Sequence, residues 1–170
     1  AAGAVDGVKD GGYGFHTTFS VNPWWQVDLR EPVELDRVVV YNRGERPQRA
    51  DGVKLLVSLD GREWTQVFQH SGPTFGGRYD NHPLAVDLKG RQITARFVRC
   101  QTEQQVSFHL DEVEVYPASD PRTNIALNKP ADQSSAGRWS TPKPNAPRRA
   151  ADDVPSERIE EILARAKTLL

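Results

Sequence analysis

The chain has 170 residues, 37% of them hydrophobic and 26% charged, with a formal net charge of −1. That length fits one ordinary domain with an extension, and the balanced charge argues against a nucleic-acid partner, which needs a clustered positive field. No run approaches the roughly 18 apolar residues of a transmembrane segment, and one cysteine, Cys100, cannot form an internal disulfide. Methionine is absent, so the stretch opening at Ala1 is expected to be a mature or excised part of a longer protein.

Taken in chain order, the first strong signal is a period of two: Trp25, Val27 and Leu29 alternate with Trp24, Gln26 and Asp28, as in a half-buried strand. Val38, Val39, Val40 and Tyr41 follow as a continuous β-branched run, which suits a central strand. Val53, Leu55, Val57 and Leu59 alternate again, and Asp60-Gly61 supplies the positive-φ residues of a tight hairpin whose return strand carries Trp64 and Val67. Further strands are expected over 84–88, 95–100 and 113–116. Cys100 lies in one of them and reads as a buried structural thiol. The glycine-rich pieces at 11–14 and 75–77 read as loops, since no P-loop lysine and no strand-to-helix switch accompanies them. Short strands separated by Gly, Pro and Asp, without helical periodicity, predict an all-β antiparallel sandwich over residues 1–117.

After Pro117 the composition turns to Pro, Ser, Asn, Arg and Ala, and residues 118–154 are expected to be a linker. Within it, 124–135 (NIALNKPADQSS) is a half-apolar segment. Ile159, Ile162, Leu163, Ala166, Leu169 and Leu170 then recur at helical spacing after Pro155, which predicts an amphipathic helix over 155–170. Its apolar stripe is expected to pack on its own domain or on a neighbour, because the polar face is too mixed in sign for a membrane surface.

The polar residues that carry chemistry cluster early. His16 precedes the tryptophan-rich strand, Arg43 closes the next apolar strand, and Arg46, Arg49 and Lys54 follow. Arginine presents a fork of donors and keeps its charge, and a neutral imidazole can donate from one nitrogen while a neighbour holds the other. Such groups at the ends of rigid strands suit a ligand rich in hydroxyls. His70, His82 and His109 have no metal-ligand spacing and are expected to be structural or exposed. No nucleophile–base pair can be assembled, so the reading is a binding module and not an enzyme.

The segments AVDG, NPWWQVDL, VVVYNR, VSLDGREW, ARFVRCQ and LDEVEVYP, in that order, resemble the discoidin domain, also called the coagulation factor five/eight type C domain. Within that group they most resemble the F-type, fucose-binding, lectins. The resemblance covers residues 1–117 and implies a jelly-roll-like β-sandwich of the galactose-binding-domain type, with ligand loops at one end. F-type lectins carry a histidine, 26 intervening residues, Arg-x-Asp, and a second Arg or Lys after four more. His16 and Arg43 match in type and spacing. Glu45 stands for the Asp, and position 50 is Ala50 with Arg49 one residue earlier; the family's vicinal cysteines are replaced by Arg46 and Pro47.

The resemblance therefore implies a fucose-like sugar held by His16, Arg43 and Arg49, with Glu45 fixing an arginine. It also implies a structural calcium near Asp6 and Glu112, with Val8 and Asp111 contributing carbonyls; oxygen ligands from loops suit that ion. The parent is expected to be a bacterial multidomain protein, extracellular or at the cell surface, or cytoplasmic if the unit is appended to a glycosyltransferase. Two other readings stay open: an adhesion module for protein or membrane surfaces, with Tyr13, Phe15, Phe19 and Phe75 as apolar tips, and a structural appendage of a glycan-processing enzyme. The 124–135 segment resembles the one that normally opens such a domain. It either begins a tandem neighbour or folds back on this sandwich, and strand exchange with another copy is a further option.

Overall fold

The structure, a computed structural model, describes residues 1–137, Trp139 and Ser140. The helix expected over 155–170, and the linker beyond residue 140, lie outside the described residues. The described residues form nine strands: β1 (Ser20–Val21), β2 (Trp24–Tyr41), β3 (Lys54–Ser58), β4 (Thr65–Gln69), β5 (Leu84–Asp87), β6 (Thr94–Gln101), β7 (Gln105–Val106), β8 (Glu112–Pro117) and β9 (Ala131–Gln133). All pairings between these strands are antiparallel, and the fold is the all-β sandwich that the alternation predicts.

The two apolar runs expected as separate strands form one 18-residue strand, β2. Its register against β6 shifts between Asp28 and Val33, where Arg30 takes a left-handed φ of 78° and its N–H donates to the Asp28 carboxylate at 2.8 Å. Such an irregularity bends a strand and increases its twist, which lets β2 serve two sheets. Its first half lies between β6 and β9, and its second half between β8 and β5. The β3–β4 hairpin extends the β6 edge. Its turn holds Gly61 at φ 75°, with the Asp60 carboxylate accepting the Arg62 and Glu63 N–H groups at 2.8 and 3.0 Å.

Residues 124–133 pack on this same sandwich. The Asn124 side-chain oxygen accepts from the N–H groups of Val115 and Ala126, both at 3.0 Å, and Ala126 is fully buried. β9 then pairs with β2 at Trp25–Gln133, Gln26–Asp132 and Val27–Ala131.

The core is one contiguous cluster drawn from both sheets, including Trp25, Val27, Leu29, Val38, Val40, Leu55, Val86, Val98, Val113 and Val115. Phe15 joins it from the loop before β1, stacked on Trp25 at 5.9 Å and edge-on to Phe108 at 5.4 Å. The Trp25 indole N–H donates to the Ala1 carbonyl at 2.8 Å. Its neighbour Trp24 points the other way, and the Arg99 guanidinium lies 4.2 Å from its ring and 3.7 Å from that of Trp64. Cys100 is buried and free, and burial pushes its thiol up to about 12. A bidentate ion pair between Arg96 and Asp28, at 2.8 and 3.0 Å, is almost wholly enclosed.

Candidate functional site

Three loop segments meet at one end of the sandwich. The segment before β1 carries Tyr13 and His16, and its backbone is laddered to the segment before β8. Gly14 N–H donates to the Leu110 carbonyl at 2.8 Å, and Thr17 N–H to the Phe108 carbonyl at 3.0 Å. The Thr17 hydroxyl oxygen in turn accepts the Phe108 N–H at 2.8 Å. This pairing sets His16 opposite His109, with ring centroids 5.6 Å apart. Arg43 arrives just past the end of β2, and Arg49 from a short 3-10 turn, Pro47–Ala50.

The loop after β2 is pinned by Asn42, a residue that is 1% exposed. Its amide donates to the Pro47 and Phe75 carbonyls at 3.0 and 2.9 Å, while its oxygen accepts the Arg43 N–H at 2.9 Å. Arg46 then adopts φ 55°, an uncommon conformation for a side chain of its size, and Pro47 starts the 3-10 turn. Ala50 is fully buried and part of the core, so the chain turns Arg49 outward, where its guanidinium donates to the Ser107 carbonyl at 3.4 Å. The family spacing points at position 50; the tight turn presents position 49 instead.

His16, Arg43 and Arg49 share one electrostatic neighbourhood. Burial holds the His16 imidazole below its ordinary value, and the charges of Arg49 and Arg43 add to the effect. Burial pushes His109 further, down to about 3, again with Arg43, Arg49 and His16 opposing its protonation. Arg49 is itself lowered by burial and by Arg46 and Arg43. Arg43 is ion-paired with the exposed Glu45 and lies 5.0 Å over the Tyr13 ring. Tyr13 in turn stands edge-on to His16 at 5.7 Å.

The His16 tautomer is fixed by its partner. Nδ1 lies 2.8 Å from the Thr17 carbonyl, and a carbonyl only accepts, so Nδ1 carries the proton and Nε2 of the neutral ring is a lone-pair acceptor. The expectation of a donor imidazole is thereby reversed: arginines donate here and His16 accepts. A hydroxyl group, which does both, complements such a set in chemistry.

His109, expected to be incidental, is fully buried in the floor of this region, and neither ring nitrogen has a hydrogen-bond partner among the described residues. His70 packs on Phe75 at 5.4 Å, and the exposed His82 meets the Asp80 carbonyl at 2.6 Å. Tyr13, Asn42 and His109 are the members that spacing did not single out. An Asn directly before Arg43, at a strand end, was the available signal for one of them; His109 has none.

The second expected site is less concentrated. Asp6 is exposed, and its carboxylate accepts the Val8 N–H at 2.9 Å; the Asp111 carboxylate accepts the Gly11 N–H at 2.9 Å. Glu112 is fully buried, with one oxygen accepting the Gly7 N–H at 3.0 Å and the other lacking a partner among the described residues. Burial, aided by Asp6 and Glu114, pushes it up to about 8. Among the described residues no group of three or more His, Cys, Asp or Glu side chains is disposed to hold a metal. The one feature here that suits a bound cation is the buried Glu112 oxygen without a partner. No helix among the described residues is long and apolar enough to cross a membrane.

A two-sheet sandwich with polar loops at one end is the architecture of a discoidin-type domain. The chain belongs to the F5/8 type C domain family, whose model matches residues 1–110. It is 30% identical over 125 residues to fucolectin-6 of Anguilla japonica, an alignment covering 68% of this chain and 62% of the relative. The chain spans less than two thirds of the length of the curated relatives it matches. Among solved structures it is similar to the lectin domain of lectinolysin complexed with Lewis B antigen, at 29% identity and a TM-score of 0.56, covering 69% of this chain and 84% of that one. The f-lectin (fucolectin) from the serum of Morone saxatilis, striped bass, is 27% identical with a TM-score of 0.58, over 68% and 41% of the respective chains. These relatives place the chain in the F-type lectin branch.

Proposed function

We propose that this domain is a non-catalytic carbohydrate-binding module that takes a fucose-like sugar at the loop end of the sandwich. The observation that carries the proposal is the convergence of His16, from the loop before β1, with Arg43 and Arg49, from the loop after β2: Tyr13 lies 5.0 Å from Arg43 and 5.7 Å from His16, and both arginine charges oppose protonation of His16. Arg43 and Arg49 donate to sugar oxygens, His16 Nε2 accepts a hydroxyl proton, and Glu45 restrains the Arg43 rotamer. Tyr13, 39% exposed, offers an apolar edge to the sugar's non-polar face.

Hydrogen bonds to charged donors net about 1.5–3 kcal/mol each, against an association cost of about 4–15 kcal/mol. Weak monovalent binding, strengthened by multivalency, follows from that balance. The names of the relatives support the sugar class, and a location outside the cell or at its surface accords with it.

The test is calorimetric titration with L-fucose against galactose and mannose. Binding is expected for fucose, and Arg43→Ala and His16→Ala should each weaken it tenfold or more. Fucose affinity untouched by both substitutions would remove the assigned site. The adhesion reading is less well supported: Phe15 and Phe75 are buried at 1% and 7% exposure, which leaves two of its four apolar tips. In the same proposal Asp6, Val8, Asp111 and Glu112 would hold a calcium ion, which would neutralise the buried Glu112 carboxylate and tie the Asp6–Gly7 loop to the start of β8.

A further inference from the structure

The ladder to Leu110 and Phe108 bonds the residues on either side of His16, and the N–H and carbonyl of His16 itself are bonded by groups more than 115 residues further along the chain. Its N–H donates to the Ser140 hydroxyl oxygen at 3.2 Å. Its carbonyl accepts from the Gly137 N–H at 2.9 Å, from the Gln133 side-chain amide at 3.1 Å, and from the Ser140 hydroxyl. Gln133 also donates to the Ser140 oxygen at 2.9 Å, so the two side chains brace one another. One turn further along, Thr18 N–H donates to the Ser135 hydroxyl oxygen at 3.1 Å.

Gly137 is required where it stands. A Cβ there would meet the Thr17 and His16 carbonyl oxygens at 2.9 and 3.0 Å and the His16 Nδ1 at 3.1 Å. That last atom is the one whose hydrogen bond to the Thr17 carbonyl sets the His16 tautomer.

We infer that Gln133, Gly137 and Ser140 are positioning residues for the sugar site: they hold the backbone of His16, and with it the imidazole that shares its surroundings with Arg43 and Arg49, and the site is incomplete without them. All three lie outside residues 1–110, which the family model matches. β9 delivers them, because its pairing with Trp25–Val27 runs the chain back toward the His16 loop. The inference rests on the sugar-site reading above, and it carries a reciprocal consequence: a ligand that engages His16 also stabilises the docking of this segment.

The test uses the full chain with Ser140→Ala, Gly137→Ala and the conservative Ser140→Thr, read three ways: melting temperature, L-fucose titration, and NMR titration of the His16 imidazole. Ser140→Ala and Gly137→Ala are expected to melt within a few degrees of the parent, to lose about tenfold in fucose affinity, the scale of one hydrogen bond, and to shift the His16 titration. Ser140→Thr should restore both readouts. A His16 titration unchanged in both variants overturns the positioning role, and so does a shifted titration with unchanged fucose affinity. Should the parent itself bind no fucose, the sugar reading falls, and the His16 titration alone still decides whether these residues set the imidazole.

Discussion

Two imidazoles lie with ring centroids 5.6 Å apart, within the electrostatic reach of Arg43 and Arg49, and this juxtaposition dictates an acid response. His16 is held below its ordinary value and His109 at about 3, chiefly by burial, so both rings are neutral in the folded protein at neutral pH. In the unfolded chain both titrate near 6.5. Between about pH 6.5 and 3 the unfolded chain therefore binds protons that the fold refuses. The contribution of the two histidines to stability is complete above about 6.5 and declines as the pH falls through that window, whereas Glu112, raised to about 8, contributes in the opposite sense as it protonates. Denaturant unfolding at several pH values should show the histidine contribution as a difference in slope between the parent and His109→Leu. An unchanged slope in that variant would mean that His109 is protonated in the fold. Fucose binding should weaken on acidification as well, because a protonated His16 no longer has an acceptor at Nε2.

At the scale of the strand, the enclosed Arg96–Asp28 pair occupies the point where β2 changes register. Removing one partner leaves a buried charge uncompensated, at a cost of about 3–5 kcal/mol. Asp28→Asn and Arg96→Met should each lose that much by urea denaturation, and the double variant should recover part of it; additive losses would show that the two groups act independently.

The same strand marks the limit of pattern reading. Alternation at Trp24–Leu29 and the run at Val38–Tyr41 were legible, as was the Asp60–Gly61 hairpin, because each rests on local periodicity or local φ preference. The joining of the two runs into β2 was not, since it depends on a bulge closed by the Asp28 carboxylate and Arg30. The site divides the same way. The 26-residue interval between His16 and Arg43 is visible in one dimension, whereas His109 enters through a cross-loop ladder, and Arg49 displaces position 50 because a 3-10 turn buries Ala50 in the core.

For the whole molecule, the buried Glu112 is the group through which a cation would act on stability. Without one, burial holds its carboxyl up to about 8, and a second oxygen goes without a partner. Calcium at about 100 times its dissociation constant would add roughly 2.7 kcal/mol, several degrees in the melt of a domain this size. Melting with calcium and then with a chelator should show the difference, and Glu112→Gln should abolish it. A melt indifferent to calcium in the parent removes the ion from the account.

The pairing of β9 with β2 also bears on synthesis. About 100 residues separate these strands, so at roughly 5–20 residues per second the Trp25–Val27 edge emerges from the ribosome some 5–20 seconds before the segment that covers it. During that interval the nascent chain presents an uncovered strand edge, a template for mispairing, and its His16 loop is still unbraced. The candidate site is thus among the last parts of the domain to mature, although its histidine is made more than 115 residues before the segment that braces it.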